Sequence, residues 1–175
     1  MDIVRRARLF AVEAYGSRRD LAHPTEVADL VGADDHELEA AAMLHDLVED
    51  TDVDLPAIEA EFGARVAALV RAMTEDETIE DYGERKQEHR LRARDAGRDV
   101  ALLFTADKLS NARRMRRGQK EPERSKLEHY RRTLETMRAA YPDLPLLDEL
   151  ETELALRGLL ETPLRAPVPP PGAPG

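Results

Sequence analysis

The sequence predicts an all-α fold, a single compact domain of about eight or nine helices, and three observations carry that prediction. Ala, Leu, Arg and Glu dominate the 175 residues, while aromatic residues make up only 4%. Such a composition favours helices. Apolar residues recur at three- and four-residue spacings, and no run shows the strict alternation of a half-buried strand. Glycine and proline fall between these stretches, where helices stop and start. The domain is expected over residues 1–162. From Pro163 the chain reads P-L-R-A-P-V-P-P-P-G-A-P-G, a tail expected to be disordered.

Taken in order, residues 3–15 put Ile3, Val4, Ala7, Phe10, Ala11 and Ala14 on one face and Arg5, Arg6 and Arg8 opposite, a first amphipathic helix that Gly16 ends. A loop with Arg18 and Arg19 leads to His23-Pro24, where proline suits a first helical turn and His23 is held at a helix entrance. That helix, Thr25 to Val31, stops at Gly32. Asp34 or Asp35 then caps a long helix running through Leu44 to Val48. Asp54 caps a short helix ending at Phe62-Gly63, and Arg65 to Met73 forms the next. The acidic stretch 74–84 reads as a mobile loop near a site or a solvated connection. A charged helix, Glu84 to Ala96, stops at Gly97. An apolar helix from Val100 contains Asp107, Lys108 and Asn111, and closes at Gly118. Two more helices, about 122–140 and 144–160, flank Tyr141-Pro142.

The net charge of −10 argues against a general binder of nucleic acid or anionic membrane. Without cysteine there is no disulfide framework, thiolate nucleophile or Cys-type zinc site. No run approaches the roughly 18 apolar residues a membrane helix needs. The expectation is a soluble, cytoplasmic protein.

Two stretches carry chemistry. In A-A-M-L-H-D-L-V-E-D-T, His45, Asp46, Glu49 and Asp50 fall within a helical sector of about 140°. Four ionisable groups on a core helix need compensation for their lost hydration, and a divalent metal supplies it. Asp107, set at the end of an apolar run, needs a partner in the same way. Two imidazoles (His23, His45) and two carboxylates (Asp46, Asp107) suit a hard-to-borderline divalent ion. The plainer alternative makes His23 a capping residue, His45 a core histidine and Asp107 an arginine's partner. Glu49 and Asp50, at a helix C-terminus that disfavours carboxylates, suit orienting a water. Lys108, Asn111 and Arg113 follow Asp107, and Arg18, Arg19 and Tyr130 are further candidates for substrate contact. His36, His89 and His129 stand among charged neighbours and read as surface residues.

These pieces resemble the HD-domain phosphohydrolases, and among them the hydrolase domain of the RelA/SpoT family in its small stand-alone form, the small alarmone hydrolases. The matching stretches are His23-Pro24 with Val27-Ala28, A-A-M-L-H-D-L-V-E-D-T, F-G-A-R-V-A-A-L-V-R-A-M-T, E-R-K at 84–86, A-D-K-L-S-N-A-R at 106–113, and H-Y-R-R-T-L-E-T-M with L-R-G-L. They span roughly residues 5–160. The resemblance implies one divalent ion, usually manganese, on His23, His45, Asp46 and Asp107, and a water oriented by Glu49 and Asp50. It also implies loss of the 3′-pyrophosphate from (p)ppGpp by attack of a metal-bound water. Three differences lie around the nucleotide: a shorter loop between Arg19 and His23, Phe104 in place of a lysine, and Tyr15 in place of a loop histidine. The alternatives are an HD hydrolase of another nucleotide or phosphomonoester, a nucleotide-binding regulatory module without turnover, and a structural or nucleic-acid adaptor using Arg113 to Arg117.

Overall fold

The computed structural model describes residues 2–16, 21–32, 34–118 and 123–156. Within them the chain forms ten α-helical segments and no strand: α1 (Ile3–Tyr15), α2 (Ala22–Val31), α3 (His36–Leu44), α4 (Leu47–Asp50), α5 (Leu55–Phe62), α6 (Ala64–Met73), α7 (Tyr82–Asp95), α8 (Arg98–Arg116), α9 (Arg124–Ala140) and α10 (Leu147–Ala155). The all-helical fold stands. The expected tail from Pro163 lies outside the described residues, as do Arg18 and Arg19.

Local chemistry explains the helix ends. Aspartate side chains accept from the exposed first-turn N–H groups of four helices: Asp2 from Arg5 N at 2.8 Å, Asp35 from Leu38 N at 3.0 Å, Asp54 from Ala57 N at 2.9 Å and Asp81 from Glu84 N at 2.8 Å. Of the two caps weighed for α3, Asp35 is the one used. Arg65 ties it down, pairing with Asp35, with Glu37 at 2.9 Å and with Asp99 at 2.9 Å. Gly63 and Gly97 adopt φ of +91° and +110°, which lets α5 turn straight into α6 and α7 into α8.

Two helices organise the core. α3 packs on α1, α2, α6 and α8; α8 packs on α2, α3, α6, α7, α9 and α10. From Leu103 to Ser110 every residue of α8 is buried, as expected of a helix enclosed on all sides. Asp107 and Lys108 are therefore charges inside the protein, not on its skin.

Three expectations are corrected. The helix expected to run unbroken to Val48 breaks at His45–Asp46, where Asp46 has φ −94° and ψ −6°. Consecutive residues of a regular helix point about 100° apart. The break lets His45 and Asp46 face the same point. Second, the helix after the first loop starts at Ala22, so His23 lies inside its first turn. Third, His89 and His129 are not surface residues: they are 2% and 5% exposed. They flank buried Phe104, with ring centroids 4.8 and 6.0 Å from it. Of their charged neighbours in sequence, Arg90 is buried with them and bonds to His129 Nδ1 at 3.1 Å. His36, by contrast, is exposed.

The buried histidines make stability depend on pH. Burial, then the charges of Lys108, Lys86 and Arg90, push His129 down to about 2, and burial lowers His89 as well. The unfolded chain takes up these protons first as pH falls below about 6.5, so the contribution is full above that value and lost below it. Between pH 6.5 and 5 one such histidine removes up to about 2 kcal/mol. Urea unfolding of His129→Gln is expected to show a smaller drop in stability from pH 7 to pH 5 than the wild-type chain. Equal drops would contradict this origin.

Candidate metal centre and its cavity

Four side chains from three separated segments meet where α2, α8 and the α3–α4 break converge. His23 Nε2 lies 3.2 Å from Asp107 Oδ1 and 3.8 Å from Asp46 Oδ2. His45 Nε2 lies 3.0 Å from Asp46 Oδ1 and 3.8 Å from Asp107 Oδ1. Ligand atoms of His23, His45 and Asp107 all fall within 4.8 Å of one another. The sequence-predicted set is thus brought together as a set.

Each imidazole is held from behind. His45 Nδ1 donates to the Ala42 carbonyl at 2.7 Å, which leaves a lone pair on Nε2. That atom is buried and without a hydrogen-bond partner. His23 Nδ1 lies 2.9 Å from Ser110 Oγ, whose hydroxyl donates to Glu26 Oε2 at 3.1 Å. A metal-binding histidine is commonly oriented through its other nitrogen in this manner. Asn111 Nδ2 donates to Asp107 Oδ1 at 2.6 Å, and Lys108 pairs with Asp107 Oδ2. Lys108 Nζ also sits 4.1 Å from the centre of the Phe104 ring.

The electrostatics favour a cation. Burial pulls His45 down, but the charge of Asp46, 3.0 Å from Nε2, and then that of Asp107 outweigh it and carry the imidazole up to about 9, so the cluster favours a positive charge at this atom. Two nitrogens and two carboxylates, one nitrogen orphaned, form a donor set that a divalent ion satisfies.

The cluster opens into a cavity of about 400 Å³. Glu49 and Asp50 line it from α4, Tyr82 and Lys86 from α7, Asn111 and Arg114 from α8, and Lys126, His129 and Tyr130 from α9. Glu49 Oε1 accepts from the Glu75 N–H at 2.7 Å. Desolvation pushes the Glu49 carboxyl up despite that bond, and the charges of Asp46 and Glu75 add to it. The acidic 74–84 stretch therefore borders the site, and Arg92 and Arg85 hold its backbone by bonds to Thr74 O and Ile79 O, each 2.8 Å.

One candidate goes elsewhere. Arg113 turns away from the cavity and pairs with Glu149, with Glu26 at 3.8 Å and with Glu153 at 3.9 Å. Arg114 takes the cavity side, since it stands seven residues from Asp107 and three from Asn111, on their helix face. The same spacing marks Lys126, four residues before Tyr130, and Lys86, four after Tyr82. Helical periodicity extended beyond Asn111 is the signal that would have found them. Ser110 and Glu26 left no comparable trace.

An all-helical domain with a His/His/Asp/Asp cluster at the foot of a charged cavity is the class that fold and site define. The family model of the HD domain matches residues 7–136, and the chain belongs to the HD-domain family. It is 38% identical over 102 residues to the mouse guanosine-3′,5′-bis(diphosphate) 3′-pyrophosphohydrolase MESH1, covering 58% of this chain and 53% of that protein. An enzyme of the same description from Aquifex aeolicus is 34% identical over 120 residues, covering 63% of this chain and 17% of its own length. The chain thus spans about half the length of the MESH1 proteins it matches. Among solved structures, one described as a metazoan orthologue of SpoT that hydrolyses ppGpp superposes with a TM-score of 0.77 at 25% identity, over 91% of this chain and 98% of the other. Among the described residues no helix is long and apolar enough to cross a membrane.

Proposed function

We propose that the chain is a metal-dependent phosphohydrolase that removes the 3′-pyrophosphate from (p)ppGpp, with manganese on His23, His45, Asp46 and Asp107. The observation that carries this reading is the orphaned, buried Nε2 of His45 within a two-carboxylate cluster at the base of a cavity rimmed by cations. The named activity of the relatives supports it.

A divalent ion in the cluster supplies Lewis-acid activation of water and of a phosphoryl oxygen. The protein does the rest. Glu49, anchored by the Glu75 N–H, accepts a proton from the attacking water, and its raised carboxyl pKa makes it a better base than an ordinary glutamate. Asp50 lines the same wall and helps orient that water. Lys108 and Asn111 fix Asp107 and present positive charge and an amide to the phosphates, while Lys86, Arg114 and Lys126 surround the leaving pyrophosphate. Tyr130 forms a wall of the pocket. Phe104, fully buried beneath Lys108, acts on the substrate only through that lysine. Such a reaction on a free nucleotide fits the cytoplasmic location expected from the sequence.

The test is a panel of nucleotides and phosphomonoesters offered to manganese-loaded protein. Pyrophosphate released from the 3′ position of (p)ppGpp is the expected result. Release from a different ester alone would replace the substrate, and no release from any compound would overturn the reading.

A further inference from the structure

A side chamber of about 190 Å³ lies beside the main cavity and shares Tyr82, Lys86 and His129 with it. Arg90, Ser125, Glu128 and Arg132 complete its polar lining. Arg90 is only 6% exposed. Its Nη1 donates to the Lys86 carbonyl at 3.3 Å and to His129 Nδ1 at 3.1 Å, and its Nε is buried with no partner. The carboxylates whose charge reaches it are held by other residues: Glu128 by Arg131 and Arg132, Glu135 by Arg131. Because His129 Nδ1 accepts from Arg90, the ring proton lies on Nε2, and that atom is also buried and unpartnered.

A guanidinium removed from water without a carboxylate paired to it is strongly unfavourable by itself. Here it stands beside an unused imidazole N–H, in a chamber lined also by Lys86, Arg132 and Glu128, the last already paired with Arg131 and Arg132. The donors are therefore prepared for an acceptor that the chain does not supply. Arginine and an N–H donor together suit a phosphoryl oxygen pair.

We propose that this chamber is an anion subsite that holds a phosphoryl group between Arg90 and His129 Nε2–H, separate from the phosphates processed at the metal cluster. The shared wall allows two sources for that group. One is the far end of the nucleotide bound in the main cavity, an assignment that rests on the phosphohydrolase reading. The other is a separate phosphate-bearing small molecule.

The test is a titration of the full chain with inorganic phosphate, followed by the ring-nitrogen NMR signal of His129, which His129→Gln identifies by its disappearance. Phosphate is expected to shift this signal, with affinity weakened about tenfold or more in Arg90→Met and left intact in Arg114→Gln, which alters only the main cavity. Arg132→Gln, at the exposed rim, provides a variant that leaves the core untouched, and a weakening of about threefold is expected there. No shift at saturating phosphate, or equal affinity in the wild-type, Arg90→Met and Arg132→Gln proteins, would overturn the proposal. Turnover then identifies the source. A KM raised about tenfold in Arg90→Met with kcat retained assigns the subsite to the substrate's far phosphate. An unchanged KM with phosphate binding lost assigns it to a separate molecule. If no nucleotide is hydrolysed at all, the titration still decides the subsite.

Discussion

Asp46→Ala is expected to leave the protein folded but without its ion, and to lower kcat/KM on the order of 10³-fold or more. Asp46 is the carboxylate nearest His45 Nε2, at 3.0 Å, and its other oxygen faces His23. The second carboxylate cannot take its place, because Asp107 is engaged by Lys108 on one oxygen and by Asn111 on the other. Without Asp46 the cluster keeps two imidazoles and a partly neutralised carboxylate, too little negative charge to hold a divalent ion against dissociation. Metal analysis after gel filtration, with circular dichroism to check folding, reads the result. One equivalent of ion retained by the variant would remove Asp46 from the ligand set.

Glu49→Gln should separate the two roles of the broken helix. Glu49 lines the cavity wall, anchored by the Glu75 N–H, so the variant is expected to keep the ion while losing about 10²- to 10⁴-fold in kcat, the usual contribution of a positioned base. The pH profile provides a second readout. Desolvation raises the Glu49 carboxyl, so the wild-type rate should fall on the acid side as this group gains a proton, above the range of an ordinary glutamate. In Glu49→Gln that acid limb should vanish from the residual activity. If both variants lose metal equally, the division between ligands and base is wrong.

The fold class, the helix order and the clustering of His23, His45, Asp46 and Asp107 were legible because each rests on local signals: apolar period, capping aspartates, and ionisable residues on apolar faces. Other features depended on what the helices pack against. His89 and His129 have charged neighbours in the chain, yet both rings pack edgewise with Phe104 inside the protein, and a sequence window does not register which helix covers which. The break at His45–Asp46 was hidden for a related reason. Nothing in A-A-M-L-H-D-L-V is a helix breaker, yet the regular ladder is interrupted at the two residues whose side chains meet at 3.0 Å. Arg113 and Arg114 differ by a rotation of about 100°, which decides between an acidic surface on α10 and the cavity. The periodicity held that information, and adjacency to Asn111 obscured it.

α8 presents Asp107 toward the cluster and, one turn further on, Ser110 behind the imidazole of His23. One carboxylate of the cluster and the brace of an imidazole from a distant segment therefore ride on one rigid rod. A bound ion would join that rod to the first turn of α2 and to the end of α3, so it would serve as a removable cross-link between the two halves of the chain. Its binding energy would then appear as resistance to unfolding, and a cell's metal supply would set the lifetime of this protein as well as its rate.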